Sequence, residues 1–429
     1  MPRRLSRSPP LPHTTPMLVL VAILLAAEPA AAEAPVSLAA PGATLEEVLA
    51  IARRLSPELA ARALDTEAAQ SRVAIVGSLA DPTLRITSDE IDRTSGPRQN
   101  KMLFTVEQEF PLWGKLDLRR DQANADVVRS RADARATEAE LIEKVKVAFA
   151  QYYQADQAIR TTEDLHRVVH DMARVVRDRY AQGRGSQQEV YKAEVEITRF
   201  STEIVRLETR RRSAAARLNA LLARPIDAPL ARPVKLRSLP SDAALAPEAL
   251  MQRTRAANPS LAGRDAQIAA AAAGKQLADK SWYPDVMLKA GAIDRTGNGP
   301  NGYLAEIGLR VPLQWGLHDA QQQEAAAQVG AAQARRQALE LQIQSELGEF
   351  LADFAGSRKT GGLIRTQLLP QSQALLRSGV AGYGLGRAEL VDVLSAEHDL
   401  ANLRIELLSA EFDQQRQLAA IERLIGGDL

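Results

Sequence analysis

The sequence contains no cysteine. This absence excludes disulfide bonds, cysteine-ligated zinc, thiol catalysis and a lipid anchor attached through cysteine. Aromatic residues make up only 4% of the chain, and no phosphate-binding glycine loop, nucleophile elbow or zinc protease motif is present. The formal net charge is +1, so no overall attraction to nucleic acid is expected. We therefore expect neither an enzyme, a cofactor nor a nucleic-acid-binding protein.

Long apolar runs are also lacking. The run Met17–Ala27 has 11 residues, short of the roughly 20 that a membrane-spanning helix needs. Arginines precede it and an alanine-rich segment follows, which is typical of a secretory signal. We predict a signal peptide over 1–32 and no α-helical membrane domain.

Proline is missing from residues 112–224, a stretch far longer than an average helix. Apolar residues recur there at helical spacing, for example at Leu141, Val145, Phe149 and Tyr152. The pattern predicts a helix over 115–182, which at about 1.5 Å per residue is roughly 100 Å long. A glycine-containing break follows, and a return helix is predicted over 187–223. Such a hairpin is too long to fold around one compact core.

The chain after the signal peptide contains the same plan twice. Landmark pairs keep a nearly constant separation of 202, 201 and 203 residues, at Pro57 and Pro259, Pro111 and Pro312, and Gly183 and Gly386. We interpret this as a tandem duplication, with repeats over 33–224 and 247–429 and a connecting segment over 225–246. The second repeat is predicted to have its long helix over 317–385 and its return helix over 388–425.

Each repeat also contains a window bounded by prolines, 82–111 and 284–312, in which the apolar period changes from 3.6 to 2. Each window predicts a β-hairpin with strands of about ten residues, joined by turns over 93–100 and 294–301. That is the length of a transmembrane β-strand. Alternation alone would equally suit an ordinary half-exposed hairpin.

The placement of aromatic residues favours membrane insertion. The predicted strand–helix junctions hold all three tryptophans and a neighbouring tyrosine: Trp113, Trp282, Tyr283 and Trp315. An aromatic girdle lies at this position on membrane barrels. Four strands cannot close a barrel, and open edges are not tolerated in lipid. Several copies of the chain are therefore expected to build one barrel.

Three segments carry a resemblance to a known family: Phe110–Lys115 (FPLWGK), Leu368–Gln371 (LLPQ) and Tyr383–Leu394 (YGLGRAELVDVL). Together with the duplicated plan, they resemble the TolC-like outer-membrane efflux channels over essentially the whole exported chain. The resemblance implies a mainly α-helical fold with β-strands in the membrane, built from long helical hairpins and two β-hairpins per chain. It also implies a homotrimer whose twelve-stranded barrel continues into an α-helical barrel.

The resemblance further implies a function. The chain would be the outer-membrane channel subunit of a tripartite efflux system in a Gram-negative bacterium, a passive duct with a long periplasmic extension. Its partners would be a periplasmic adaptor, an inner-membrane pump of the resistance-nodulation-division type, and outer-membrane lipid. Segments Tyr180–Val190 and Phe110–Lys115 look most similar to the branch that serves heavy-metal cation pumps. Alternatives are drug efflux, type I protein secretion, or a soluble periplasmic coiled-coil scaffold.

The two helix reversals hold the candidate contact residues. Gly183, Gly185 and Gly386 are expected to permit the tight turns, with Arg184 and Arg387 projecting from them. The resemblance implies that these tips contact the adaptor. The alternative is simple helix termination with solvated arginines.

Glu189 and Asp392 occupy equivalent positions just beyond the two tips. In a trimer they would place six carboxylates at one level, and the resemblance implies an acidic constriction whose first position is Asp392. Ser395 stands where some relatives have a second acid. We hypothesise that Arg184 or Arg387 pairs with the acids to close a gate; the alternative is a solvated acid.

The histidines do not predict a metal site. His166 and His170 are four residues apart, which suits a metal, but no third ligand is defined. His318 and His398 are interpreted as isolated surface residues.

Pro370 lies inside the second predicted long helix. Because proline removes an intrahelical hydrogen bond, we expect a kink near the middle of that helix. The kink would mark either a rearrangement of helix packing or a local bend without function.

Overall fold

The computed structural model describes residues 40–91, 99–295 and 300–429. The predicted signal peptide and the central parts of both predicted strand-connecting turns lie outside these residues. The described chain is mainly helical with a few antiparallel strands, as predicted.

The described residues of the first half form four helices and two strands: α1 Leu45–Leu55, α2 Pro57–Val76, β1 Thr83–Ile91, β2 Gln99–Phe110, α3 Lys115–Ala181 and α4 Gln187–Leu221. Pro57 suits the first position of α2, because an amide hydrogen at that position would have no partner within the helix. The Ser56 hydroxyl accepts from the Leu59 amide at 3.4 Å and so caps the same helix. With 67 residues, α3 is about 100 Å long.

The second half repeats this order: α5 Pro247–Ala257, α6 Pro259–Asp279, β3 Asp285–Arg295, β4 Gly302–Arg310, α7 Trp315–Leu363, α8 Leu369–Gly384 and α9 Leu390–Ile425. Asn258 caps α6 as Ser56 caps α2, accepting from the Leu261 amide at 3.0 Å. Between the halves, residues 222–241 form turns and irregular chain before a short 3₁₀ turn at Asp242–Leu245.

The helical segment containing Pro370 changes its pitch rather than running as one regular α-helix. Residues Ile364–Leu368 form a π-turn between α7 and α8. The Leu369 amide donates to the Ile364 carbonyl oxygen, five residues back. Proline has no amide hydrogen and crowds the carbonyl of the preceding turn. A wider turn just before it accommodates that crowding.

All four strands form one antiparallel sheet in the order β1-β2-β3-β4. The two hairpins predicted separately are joined through β2 and β3, where Phe104 lies opposite Ala292 and Gln108 opposite Leu288. Among the described residues, β1 and β4 are therefore the edge strands.

The helices bury several separate apolar clusters instead of one core. One cluster packs α3, α4, α8 and α9 near the reversals, around Val176, Tyr383 and Val393. Another packs α1 against α3 and α4, around Phe149 and Leu218. Within the described ranges, no helix is both long enough and apolar enough to cross a membrane.

Candidate functional site: the sheet faces and the helix tips

The strand register places apolar side chains on one face of the sheet. Ile86 lies opposite Phe104, Phe104 opposite Ala292, and Ala292 opposite Tyr303. The next rows continue the same face with Leu84, Val106, Ala290, Ala305, Leu288, Ile307, Val286 and Leu309, and Gln108 is the polar residue in these rows. Several of these large side chains are strongly exposed in the single chain, Tyr303 at 93% and Ile307 at 75%. A continuous exposed apolar face of this kind marks an interaction surface or contact with lipid.

The opposite, polar face of the sheet carries charged side chains together with some apolar ones, such as Leu103 and Leu304. Lys289 and Glu306 form an ion pair at 3.2 Å, and Arg310 and Glu109 form another at 2.6 Å. Strands of membrane barrels show this pattern: apolar side chains face the lipid outside the barrel, and polar side chains face the water inside it.

The aromatic residues predicted at the strand–helix junctions come together there. The Trp113 and Tyr283 rings lie 5.1 Å apart, and Trp282 and Trp315 lie 6.1 Å apart in an edge-to-face arrangement. The Trp113 indole nitrogen donates to the Pro284 carbonyl oxygen at 2.8 Å. The Trp113 contacts tie the start of α3 to the start of β3, and the Trp282–Trp315 contact links the segment before β3 to the start of α7.

Lys115 strengthens the same junction and was not anticipated from the sequence. Its buried ammonium group lies 2.9 Å from the Asp285 carboxylate and 2.9 Å from the Tyr283 carbonyl oxygen. The prediction that His318 is an isolated surface residue was wrong. Its ring packs 5.0 Å from Trp282, and its Nδ1 lies 3.0 Å from the Ser281 hydroxyl.

The two helix reversals have the same backbone geometry. The Arg184 amide at the end of α3 and the Arg387 amide at the end of α8 each donate, at 2.8 Å, to the carbonyl oxygen five residues back. The glycine before each arginine has positive φ, +70° at Gly183 and +74° at Gly386. Glycine adopts this left-handed conformation without a Cβ penalty, which is why it ends both helices.

Gly185 has a different part in the turn from the one expected. Its φ lies outside the left-handed region, but a Cβ there would lie 3.2 Å from the Glu189 Oε2 and 3.3 Å from the Tyr180 amide nitrogen. Close packing, rather than backbone reversal, explains a glycine at this position.

The equivalent acids Glu189 and Asp392 have different surroundings. Glu189 forms a capping box at the start of α4: its carboxylate accepts from the Ser186 amide at 3.1 Å, while its own amide donates to the Ser186 hydroxyl at 3.2 Å. Asp392 lies at the corresponding position of α9 and is exposed. Its carboxylate has no ion-pair or hydrogen-bond partner among the residues that the structure describes.

The tips also bring Glu189 near Tyr383. Burial raises the pKa of the Tyr383 hydroxyl, and the negative charge of Glu189 adds to this rise. The hydroxyl oxygen is buried without a hydrogen-bond partner in the described part of the chain. This side of the tip is therefore a poorly solvated contact between the two repeats.

Arg184 and Arg387 are both exposed. Within the described residues of one chain, neither forms an ion pair with Glu189 or Asp392. The arginine that connects the two tips is instead Arg179, whose guanidinium lies 4.4 Å from the centroid of the Tyr383 ring. It also donates to the Tyr383 carbonyl oxygen. Sequence reasoning missed Arg179 because only the fold brings residue 179 to residue 383.

His166 and His170, the two histidines four residues apart on α3, have different surroundings. His166 Nε2 lies 3.4 Å from the Ser201 hydroxyl, and His170 is exposed. Across residues 40–91, 99–295 and 300–429, no group of three or more histidine and acidic side chains is arranged to hold a metal ion.

The comparisons with known proteins define the class of the chain. The family model described as outer membrane efflux protein matches residues 48–224 and 250–427. The chain therefore belongs to the outer membrane efflux protein family. This confirms the resemblance to TolC-like channels inferred from its sequence. No curated protein matches the sequence significantly.

Solved structures share the fold. The outer membrane protein VceC from Vibrio cholerae has a TM-score of 0.76 at 18% identity, covering 90% of this chain and 96% of its own. The open-state MtrE outer membrane channel of Neisseria gonorrhoeae has 0.75 at 17% identity, covering 90% and 89%. The CmeC outer membrane channel of Campylobacter jejuni has 0.74 at 13% identity, covering 89% and 85%.

Proposed function

We propose that the chain is the outer-membrane channel subunit of a tripartite efflux system and acts as a passive homotrimeric duct from periplasm to exterior. The observation that carries this function is the apolar face shared by all four strands, exposed on one side of a sheet whose other side is charged. A soluble protein has little reason to expose such a face in register across two repeats.

The open sheet edges support assembly of several copies. Unpaired strand edges are not tolerated in hydrocarbon, where every backbone group must find a partner. Pairing β1 of one copy with β4 of the next satisfies both edges. Three copies of a four-stranded sheet supply twelve strands, enough for a closed membrane barrel.

The long helices supply the periplasmic part of the duct. α3 alone is about 100 Å long, and α7, the π-turn and α8 follow one another without a break from Trp315 to Gly384. In the trimer these helices continue the barrel as a helical tunnel whose reversals lie farthest from the outer membrane. A periplasmic adaptor contacts those tips, at Gly183, Gly185 and Gly386, and links the duct to an inner-membrane pump of the resistance-nodulation-division type.

Heavy-metal cations are the cargo class that we propose. The sequence resemblance of Tyr180–Val190 and Phe110–Lys115 to the metal-efflux branch supports this choice. Asp392 adds a second argument, because three exposed carboxylates around one axis attract cations. Glu189, Arg184 and Arg387 complete the proposed gate region.

Reconstitution in planar lipid bilayers tests the function. The purified protein should form discrete cation-conducting channels, and permeability measured under a salt gradient should favour cations over anions. A protein that never inserts into bilayers would instead support the soluble periplasmic scaffold. Channels without cation preference would keep the duct but favour drug efflux or protein secretion.

A further inference from the structure

Glu397 of α9 is an ionisable residue buried inside the helical end of the molecule. Its exposure is 2%, and its Oε1 is buried without a hydrogen-bond partner among the described residues. The side chain lies on the face of α9 that supplies Val393 and Leu400 to the apolar cluster with α3, α4 and α8. A carboxylate in such surroundings is strongly disfavoured, whereas a neutral carboxylic acid is tolerated.

Glu196 of α4 is the charged group that acts on Glu397 from the neighbouring helix. It is also buried, at 7% exposure. Arg199 donates to Glu196 Oε2 at 3.3 Å, and His398 Nδ1 lies 3.9 Å from Glu196 Oε1. Both basic groups contact Glu196, and no basic group among the described residues forms an ion pair with Glu397.

The other helices around Glu397 bring no compensating charge. The stretch of α3 at the level of Glu397 runs from His166 to Arg177. Its two ends are located by their contacts with α4, His166 with Ser201 and Arg177 with Glu194. Its inward side chains are apolar, and its charged groups lie at the surface or in pairs: Arg167 with Asp164, Arg174 with Asp171, Arg177 with Glu194, and exposed His170. On α8, Arg377 is exposed and donates to the Gln373 carbonyl oxygen.

The first repeat provides an internal comparison. Glu194 stands 203 residues before Glu397, the same separation as Gly183 and Gly386. Unlike Glu397, it is exposed and lies 3.7 Å from Arg177 in an ion pair. The duplicated plan therefore allows a solvated, paired glutamate at this position, and only the second repeat buries it.

Burial, with a smaller contribution from the negative charge of Glu196, raises the pKa of Glu397 to about 8. The packed state therefore keeps its proton at neutral pH. When α9 moves away from α4 and the carboxyl group meets water, its pKa returns to about 4.5. Between these two values the packed state binds more protons than the separated state, so its stability falls as pH rises and the loss is complete above about pH 8.

We propose that Glu397 is a proton-controlled joint at the helical end of the duct: protonated, it holds α9 packed on α3 beside α4, and its ionisation releases α9 and opens the tip. The second part of this statement rests on the proposed channel function. The first part concerns only the packing of the helices and stands without it.

Amide hydrogen exchange of the full-length protein in detergent tests the joint. Exchange of the peptide covering residues 390–402 is compared between the wild type and Glu397→Gln at each pH, which cancels the intrinsic effect of pH. The wild type should exchange roughly 10- to 100-fold faster relative to Glu397→Gln at about pH 9.5 than at about pH 6. A ratio that does not change with pH overturns the proposal.

Two variants separate ionisation from a merely structural effect. Glu196→Gln removes the like charge and leaves the burial, so the pH-dependent rise should persist but become smaller. Glu194→Gln is the matched control at the equivalent position of the first repeat and should behave as the wild type. Should Glu397→Gln fail to fold, Glu196→Gln replaces it as the reference: a ratio of wild-type to Glu196→Gln exchange that does not rise with pH overturns the joint.

Conductance in bilayers distinguishes the two proposals. Open probability that rises with pH in the wild type and not in Glu397→Gln supports both. If exchange depends on pH but no conductance is found, the channel proposal is contradicted and the Glu397 joint remains supported. Conductance together with pH-independent exchange contradicts the joint and leaves the channel.

Discussion

The guanidinium group of Arg179 lies 4.4 Å from the centroid of the Tyr383 ring and donates to the backbone carbonyl oxygen of the same residue. One side chain of α3 thus holds the last turn of α8, which is the start of the second reversal. Arg179 also donates to the Arg184 carbonyl oxygen at 3.4 Å. The two tips of one chain are joined by this arginine.

Arg179→Ala should loosen the tips. It removes a cation–π contact and a charge-assisted hydrogen bond, together about 1–3 kcal/mol. Open probability in bilayers should therefore rise roughly 5- to 150-fold. Arg177→Ala, which breaks only the exposed pair with Glu194, is the matched control and should have little effect. Equal behaviour of the two variants would contradict a holding role for Arg179.

Asp392→Ala should raise the conductance of the reconstituted channel, because it removes a ring of side chains from the proposed constriction and the charge that attracts cations. Cation preference should fall at the same time. Asp399→Ala removes another exposed acid of α9 and serves as control. Unchanged conductance of Asp392→Ala would remove Asp392 from the gate.

Gly183→Ala and Gly386→Ala should each destabilise the helical tip by about 1–2 kcal/mol, because alanine is strained at positive φ. A Cβ at Gly183 would meet no neighbouring atom, so the cost there is backbone strain alone. The exchange rate of tip amides measures the effect. Gly330→Ala, in the interior of α7 with open space around it, is the opposite control and should stabilise by about 0.5–1 kcal/mol. Slower or unchanged exchange at the tip of Gly183→Ala would contradict the assignment.

Ile307→Lys should impair membrane insertion. A lysine facing the middle of the bilayer costs about 2–4 kcal/mol in a barrel strand, so the amount of assembled protein in outer-membrane fractions should fall severalfold. Leu304→Lys makes the same change in the same strand on the polar face and should assemble normally. Equal yields of the two variants would contradict the assignment of the apolar face to lipid.

Periodic features of the fold were predictable from the sequence. The long helix ending near Gly183 follows from apolar spacing and from missing proline, and both reversals follow from glycine, since only the local backbone decides them. The four strands follow from alternation with period two. Each of these features is determined by residues that are close together in the sequence, so it can be predicted without knowing the fold.

Contacts between distant segments were not predictable in the same way. The pairing of β2 with β3 joins residues nearly 190 positions apart, such as Phe104 and Ala292, and only this register reveals one continuous apolar face. Glu189 looked equivalent to Asp392, yet a serine three residues earlier draws it into a capping box. Burial of Glu397 depends on four helices meeting, which its neighbours in sequence do not indicate.

The mass of the assembled protein tests the central claim most directly. Outer membranes from cells expressing the full-length chain are solubilised in mild detergent, and the protein mass is determined by native mass spectrometry. A homotrimer in the outer-membrane fraction is the predicted result, with β1 of each copy paired with β4 of the next in a closed ring of three sheets. A soluble monomer or dimer in the periplasmic fraction would show that the sheet does not enter lipid, and would contradict the channel.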